Sequence, residues 1–277
     1  MSLSQPHPGS DTVLGLTILN GDSSWLIEID GTRLLLDPWL EGEAVLLHRA
    51  LHVARGAGAA VRVEDLGAVD ALVISHPFPD HLNRATLRKL PADLPAFAPA
   101  VVKPFVKWVG GLRRVTTIPN ATRGGQPVKF QNVSLAWCRA AAPLDTTHNA
   151  LILRGSQSGA TVMYCPHGIL LKGPTLAAVE RVLAGRLDAL LCSFNHLDLP
   201  GYLGGVANLG AEAGAALTAR LSPRFLLATH DAEKPDSGFI ARVEKITYCR
   251  DIAGAVAARA ARTVAVAPRT GERWLAG

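Results

Sequence analysis

The amino-acid sequence predicts an α/β fold in which two β-sheets pack together and helices cover their outer faces. In the first half, short apolar runs are separated by turn sequences such as Asn20-Gly21-Asp22 and Asp30-Gly31, a pattern typical of neighbouring antiparallel strands. In the second half, helical stretches alternate with short apolar runs, which indicates strands covered by helices. Without a fixed-period repeat or a low-complexity linker, we expect one domain over 11–277 behind a disordered or loosely ordered N-terminus, 1–10.

The predicted elements of the first half are mainly short strands, at 13–19, 24–29, 32–37, 71–75, 113–118, 128–130, 134–139, 150–153 and 161–165. Helices are predicted at 43–55 and 84–90. In the first of these helices His48 and His52 are spaced to share one face, where they could chelate a metal ion, although a solvated face is the favoured interpretation. In the second half, helices at 174–184 and 206–221 precede strands at 189–193 and 225–228, and later elements extend to Trp274.

The composition is that of a compact, folded protein. Hydrophobic residues make up 48% of the chain and charged residues 18%, which leaves too little charge for disorder. The net charge of +5 is spread along the sequence, so nucleic acid is not an expected partner. No secretory signal and no membrane-spanning apolar run is visible. We therefore expect a cytoplasmic protein with a small-molecule substrate or ligand and no membrane partner; the sequence leaves the oligomeric state open.

The four cysteines, Cys138, Cys165, Cys192 and Cys249, are far apart and form no CxxC pair. Each lies in or beside an apolar run, which indicates buried thiols in a reducing compartment. A redox role for Cys165, close to His167, is a weaker alternative because no second cysteine stands nearby in the sequence.

Four of the nine histidines, His76, His167, His196 and His230, closely follow predicted strands. Strand ends converge in layered sheet proteins, so residues far apart in sequence can meet there in one pocket. Neutral imidazole is also a common metal ligand. This distribution predicts a metal-binding pocket at the edge of a sheet.

The densest group of donors lies in the segment Ser75-His76-Pro77-Phe78-Pro79-Asp80-His81. Its two prolines restrict the backbone around the donors. Asp80 and His81 can occupy different coordination positions, or the carboxylate can orient an imidazole or a water molecule. In the alternative interpretation Asp80 caps the following helix, and His81 is a histidine whose nitrogens are satisfied within the protein and bind no metal.

This segment resembles the metallo-β-lactamase superfamily signature, His-x-His-x-Asp-His after a buried strand, and here it contains His76, Phe78, Asp80 and His81. The resemblance extends to Asp37-Pro38 in the sequence Leu-Leu-Asp-Pro-Trp, to Cys-Pro-His-Gly ending at Gly168, and to Ala-Thr-His-Asp ending at Asp231. It implies a four-layer αββα sandwich of two mixed β-sheets flanked by helices.

The resemblance also implies a reduced metal site. In the family, one site uses the first two histidines of the signature and a mid-chain histidine, but Phe78 cannot be a ligand and Ala140-Ala141-Ala142 occupies the mid-chain region. His148, some residues later, is the available substitute. We therefore do not expect a two-metal mechanism.

The second family site uses the Asp-His pair and a C-terminal histidine, and it is matched more fully. We expect one divalent metal ion, preferably zinc with iron or manganese as alternatives, or no metal at all. The residues assigned to the metal are Asp80, His81, His167 and His230. His76, Asp80 and Asp231 are assigned to catalysis and proton transfer, and Asp37, His148 and His196 to the pocket.

The expected function is metal-dependent hydrolysis of an ester, amide or phosphoester by metal-bound water. The alternative is a catalytically inactive member of the fold that acts as a sensor or partner and binds a metal ion or a ligand. The role of His167 distinguishes these two functions, because a fourth protein ligand would leave the metal no open position for water. Segment 40–61 is expected to form part of the pocket wall.

Overall fold

Two seven-stranded β-sheets occupy the centre of the computed structural model, which describes residues 13–56, 58–59, 61–140, 142 and 145–276. The predicted loose N-terminus, 1–10, lies outside these described residues. The strands of the first half are β1 (Leu14–Ile18), β2 (Trp25–Ile29), β3 (Thr32–Leu36), β4 (Glu43–Leu46), β5 (His52–Arg55), β6 (Ala71–Val73), β7 (Ala96–Pro99), β8 (Val115–Ile118), β9 (Val128–Phe130) and β10 (Val133–Arg139).

The strands of the second half are β11 (Asn149–Gly155), β12 (Thr161–Cys165), β13 (Ala189–Cys192), β14 (His196–Asp198), β15 (Val206–Leu209), β16 (Phe225–Ala228), β17 (Asp236–Ser237), β18 (Lys245–Thr247), β19 (Val264–Val266) and β20 (Arg273–Ala276). The α-helices are α1 (Arg84–Leu87), α2 (Lys103–Gly110), α3 (Gly173–Leu183), α4 (Gly210–Leu221), α5 (Ile240–Val243) and α6 (Ile252–Ala257). Short 3-10 helices lie at Val63–Asp65, Ala121–Arg123 and Gly201–Leu203.

Both large sheets are mixed. The first has the order β20-β1-β2-β3-β6-β7-β8 and becomes parallel from β3 onward. The second has the order β19-β16-β13-β12-β11-β10-β9 and is parallel from β19 to β12. Apolar side chains of both sheets, including Trp25, Leu34, Tyr164 and Leu191, form one buried cluster between them.

The helices cover the outer faces of the two sheets. Leu87 of α1 and Val106 of α2 pack on the first sheet, while Val179 of α3, Leu217 of α4 and Val256 of α6 pack on the second. The predicted four-layer αββα sandwich of two mixed sheets is therefore confirmed. None of the helices in the described part of the chain combines the length and apolar character needed to cross a membrane.

Two three-stranded sheets, β15-β14-β18 and β17-β5-β4, lie beside the sandwich. We call them together the cap. The predicted helix at 43–55 is wrong, because this segment forms the β4–β5 hairpin of the cap. Ala44 and Ala54 face each other across the hairpin and are both buried, and β5 also pairs with β17. The apolar spacing fitted a helix, but pairing with a distant strand outweighs local propensity.

The predicted helix at 206–221 is also corrected, since its first turn is strand β15 and the helix begins at Gly210. Gly210 has a φ of 81°, a conformation that suits glycine. A Cβ atom at this position would lie 2.8 Å from Cβ of His196. The turn from strand to helix therefore requires glycine.

Leu34→Ala is expected to lower the free energy of unfolding by roughly 2–5 kcal/mol, because it removes a buried side chain between the sheets and leaves a cavity. Leu47→Ala is the matched control, since this leucine is 90% exposed, and we expect a change within about 0.5 kcal/mol. Urea denaturation measures both, and equal effects would contradict the placement of the core.

Candidate metal centre

The centre lies where parallel strands of both sheets end. Strands β3 and β6 are parallel in the first sheet, and β12, β13 and β16 are parallel in the second. Carboxyl ends of neighbouring parallel strands lie at the same sheet edge. Polar residues follow these five ends at short distances along the chain: Asp37, His76, His167, Ser193 and His230.

A buried carboxylate, that of Asp37, organises the floor of the centre. The φ of Asp37 is 43°, in the left-handed region that few non-glycine residues adopt. Its Oδ1 accepts a hydrogen bond from the backbone N–H of Ser75 at 2.7 Å. Its Oδ2 accepts from the Tyr164 hydroxyl at 2.9 Å and from Nδ1 of His81 at 2.8 Å, and it also contacts the Ser75 hydroxyl. These contacts hold the His81 ring with Nδ1 on Asp37 and leave Nε2 for another partner.

Two imidazoles direct the same nitrogen at each other. Nε2 of His81 lies 3.2 Å from Nε2 of His167. The opposite nitrogen of each ring has an oxygen acceptor, which is Asp37 for His81 and Oδ1 of Asn208 at 2.7 Å for His167. If both rings were neutral with their protons on Nδ1, two lone pairs would face one point. The contact is therefore favourable only when a proton or a metal ion lies between the two nitrogens.

Asp80 and His230 form a hydrogen-bonded pair beside these imidazoles. Nε2 of His230 donates to Oδ2 of Asp80 at 3.0 Å. His230 has a φ of 62°, and its backbone N–H donates to the Asp22 carbonyl at 2.7 Å, which ties the end of β16 to the first sheet. Nδ2 of Asn208 lies 3.4 Å from Nδ1 of His230. One amide side chain thus contacts both His167 and His230.

The protonation of the centre follows from burial and from the carboxylates. Burial acts to lower the pKa of His81, but Asp80 and Asp37 raise it above its ordinary value. Burial acts to raise the pKa of Asp80, but the imidazoles of His81 and His230 hold this pKa well below its usual range. Burial and neighbouring imidazoles lower the pKa of His167. These opposite directions favour a proton on His81 over one on His167.

His76 and Phe78 lie against the same group. His76 is fully buried, and its Nε2 donates to the Thr147 carbonyl at 2.8 Å while its Nδ1 lies 2.6 Å from the Ser75 hydroxyl. Burial lowers the pKa of His76 to about 3. Phe78 stands edge-on to His167, with ring centroids 5.9 Å apart. His76 thus has a protein partner at each nitrogen, and Phe78 supplies an aromatic wall.

His148 and His196, which the sequence assigned to the pocket, make their contacts elsewhere. Nδ1 of His148 pairs with Asp145 at 2.8 Å, and Nδ1 of His196 lies 3.3 Å from the Leu209 carbonyl. Neither side chain lines the cavity above the centre in the described part of the chain. Of the nearby alanines, residue 141 lies outside the described residues.

Asp231, assigned to proton transfer, supports a neighbouring turn. Its carboxylate accepts hydrogen bonds from the Ser193 hydroxyl at 2.7 Å and from the backbone N–H groups of Phe194 and Asn195 at 2.8 and 2.7 Å. Asp231 borders a separate cavity of about 170 Å³. The structure therefore keeps its carboxylate apart from the cavity above the imidazoles.

A cavity of about 360 Å³ adjoins Asp80, His167 and His230. The cap forms much of its wall, to which segment 40–61 contributes as expected. Most lining residues are apolar, and they include Leu46, Leu51, Phe78, Leu199, Val206, Ile240 and Ile246. Among the described residues that line it, Lys234 is the single lysine or arginine. Its ammonium donates to Oδ2 of Asp22 at 2.7 Å.

Asn208 and Lys234 were not predicted from the sequence. Asn208 fell inside the predicted helix at 206–221, where its contact with two strand-end histidines had no visible signal. Lys234 stands three residues after Asp231 in a polar segment, and only the tertiary fold brings it to Asp22.

The donor set fits a divalent metal ion. Two groups of three residues have suitable donors, His76–His81–His167 and Asp80–His81–His230. Within each group the donor atoms lie within 4.8 Å of one another, and the two groups share His81. The oxygen acceptors on Nδ1 of His81 and His167 fix the tautomer that leaves Nε2 free, as is usual for histidine ligands. Burial raises the pKa of the Cys165 thiol well above its ordinary value, which argues against the redox alternative.

Comparisons with known proteins agree with this fold. The family model described as "Beta-lactamase superfamily domain" matches residues 17–230. A possible metal-dependent hydrolase from Veillonella parvula DSM 2008 superposes with a TM-score of 0.68 at 14% identity, covering 95% of this chain and 99% of that chain. An isothiocyanate hydrolase from Delia radicum gut bacteria gives a TM-score of 0.66 at 16% identity, covering 94% and 98%.

Igni18, a metallo hydrolase from the archaeon Ignicoccus hospitalis KIN4/I, has a TM-score of 0.63 at 16% identity, and 95% of this chain and 98% of that chain are covered. At these identities the similarity shows a shared fold alone. The sequence matches none of the curated proteins with which it was compared.

Asp37→Asn is expected to lower the free energy of unfolding of the metal-free protein by about 3 kcal/mol, because it removes a buried charge that pairs with His81. Asp93→Asn removes an exposed ion pair with Arg113 and is expected to change it by less than about 1 kcal/mol. Chemical denaturation in a chelator compares the two, and similar losses would contradict a special role for Asp37.

Proposed function

The chain belongs to the β-lactamase superfamily, and we propose that it is a metal-dependent hydrolase whose centre binds one divalent metal ion through His81, His167 and His230, which leaves a fourth position open for water. The main support is the contact of 3.2 Å between Nε2 of His81 and Nε2 of His167. Both rings are oriented by oxygen acceptors on Nδ1, so that a metal ion can replace the proton between them.

We propose zinc as the metal, because three imidazoles with an open fourth position form a donor set that zinc accepts in catalytic sites. When bound, the metal supplies Lewis acidity that activates water and polarises the bond under attack. Asp37 and Asn208 are positioning residues, since each holds Nδ1 of a ligand imidazole; Asn208 also lines the cavity, whereas Asp37 does not. Phe78 occupies the signature position at which the family has its second metal-binding histidine. This replacement supports a single ion at this centre.

Proton transfer is assigned to Asp80 in this proposal. Its Oδ2 lies 3.0 Å from Nε2 of His230, and its side chain lines the cavity. His76 and Asp231, the other candidates, already hold protein partners at their polar atoms. We therefore propose that these two position the loops around the centre.

The substrate class follows from the cavity. Its wall is mainly apolar, and the acidic residues Asp80, Asp236 and Glu244 line it beside one lysine, Lys234, which is paired with Asp22. Such a wall disfavours a phosphate group and suits a neutral, apolar ester, amide or related carbonyl-type compound. The similarity to a solved isothiocyanate hydrolase makes isothiocyanates a reasonable member of a test panel.

His167→Ala is expected to remove about one equivalent of bound zinc relative to the wild type, because the metal loses an oriented imidazole. His48→Ala is the control, since this histidine lies in an exposed turn. Elemental analysis after zinc loading and dialysis gives the metal content. If His167→Ala retained the zinc content of the wild type, the proposed ligand set would be wrong.

Asp80→Asn is expected to lower kcat/KM for a neutral aryl ester by ~100-fold or more, because the cavity loses its charged proton acceptor. Asp93→Asn should leave turnover unchanged. A steady-state assay should also give a higher kcat/KM for the ester than for a phosphodiester. Equal activity of Asp80→Asn and the wild type would exclude catalysis at this centre, and the chain would then be a binding member of the superfamily.

A further inference from the structure

A second group of metal-ligand side chains lines the same cavity from the side of the cap. His52, Asp236 and Glu244 have donor atoms that lie within 4.8 Å of one another, and all three residues line the cavity. None of them belongs to the centre built on Asp80 and His81. They lie on β5, on β17 and directly after α5.

The backbone around these residues is held by hydrogen bonds between the three segments. Strand β17 pairs with β5, with Asp236 opposite Ala54. The N–H of Ile240, at the start of α5, donates to the Leu51 carbonyl at 2.9 Å, and the N–H of Glu244 donates to the Ile240 carbonyl at 2.9 Å. The three donors are therefore brought together by the cap before any ligand arrives.

One polar atom of this group lacks a hydrogen-bond partner. Nε2 of His52 is buried and makes no hydrogen bond to the described residues, although it lies 3.5 Å from Oδ2 of Asp236. The two carboxyl groups interact with each other, and burial together with the adjacent Asp236 carboxyl raises the pKa of Glu244 to about 8. Lys234, the one lysine or arginine among the described lining residues, gives its hydrogen bond to Asp22 instead.

One other pair of carboxylates, those of Glu41 and Glu64, is bridged by a basic side chain. Nζ of Lys89 donates to both Glu41 and Glu64, at 2.7 and 3.0 Å. Asp236 and Glu244 have no such bridge among the described residues, but they face an imidazole nitrogen that has a free position. One imidazole nitrogen and two carboxylate oxygens form a donor set that suits divalent transition metals.

We propose that His52, Asp236 and Glu244 bind a second divalent metal ion, separate from the centre at His81 and independent of the proposed hydrolase activity. The ion joins β5, β17 and the end of α5. These three segments form one wall of the cavity, so the ion fixes the shape of that wall. It also neutralises the carboxylates that face the cavity.

Zinc binding to the full chain tests this site, with isothermal titration and elemental analysis as readouts that do not require activity. We expect two zinc ions on the wild type, and one on Glu244→Gln and on His52→Gln. Glu233→Gln is the control, because this exposed glutamate pairs with Arg250, and it should keep both ions. His167→Ala should retain the ion of the cap.

The His167→Ala background isolates the site. There, zinc is expected to raise the melting temperature, and adding Glu244→Gln should abolish that rise. Asp236→Asn replaces Glu244→Gln if the latter does not fold, as judged by circular dichroism.

Unchanged zinc stoichiometry and affinity in Glu244→Gln and Asp236→Asn would overturn the proposal, as would the absence of a bound ion in His167→Ala. If the wild type binds one ion that survives His167→Ala and is lost in Glu244→Gln, the cap site stands and the centre at His81 fails.

Discussion

The buried Asp37 carboxylate links the packing of the two sheets to the arrangement of the centre. It follows β3 of the first sheet, and it accepts a hydrogen bond from Tyr164 of the second sheet and another from His81. Burial and nearby carboxylates raise the pKa of Tyr164, so the phenol keeps its proton and remains a donor. A shift of one sheet against the other would therefore change the orientation of His81. This coupling places the His81 imidazole with the accuracy of a packed core.

A second coupling between the two sheets lies at the end of β16. Thr229 Oγ1 accepts from Nε1 of Trp25 at 2.9 Å and donates to the Asp22 carbonyl at 2.8 Å. The next residue, His230, donates its backbone N–H to the same carbonyl. The end of β16 is thus attached to the first sheet directly before it presents an imidazole. The ends of β12 and β16 thus position His167 and His230, and Asp37 at the end of β3 orients His81 from the turn after β6.

The sequence predicted the sandwich and brought forward the four residues that meet at the centre. His167 and His230 closely follow predicted strands, whose ends are visible as the limits of buried apolar runs, whereas Asp80 and His81 belong to the donor-rich segment 75–81 that resembles the family signature. Their contacts with Asn208 and Lys234 were not predictable. Those two residues lie outside the long strands, in segments whose positions are set by tertiary packing.

The cap shows more clearly which contacts cannot be predicted from the sequence. Residues 43–55 have an apolar spacing that fits a helix, and on a helix His52 would have shared a solvated face with His48. As part of a hairpin, His52 instead faces Asp236, with Nε2 3.5 Å from its carboxylate. The partner strand β17 has two residues, too few for a periodic signal. The error in secondary structure therefore hid a group of donors.

The charges around the cavity relate the cap to the centre. Lys234 acts on both sides, since it helps to hold the pKa of Asp80 low and opposes the rise in the pKa of Glu244. The raised pKa of Glu244 indicates that a proton, and not a cation, reduces the charge beside Asp236. Asp80 has an imidazole partner in His230. In our two proposals a divalent ion would replace a proton at each group of donors and leave a cavity suited to neutral, apolar molecules.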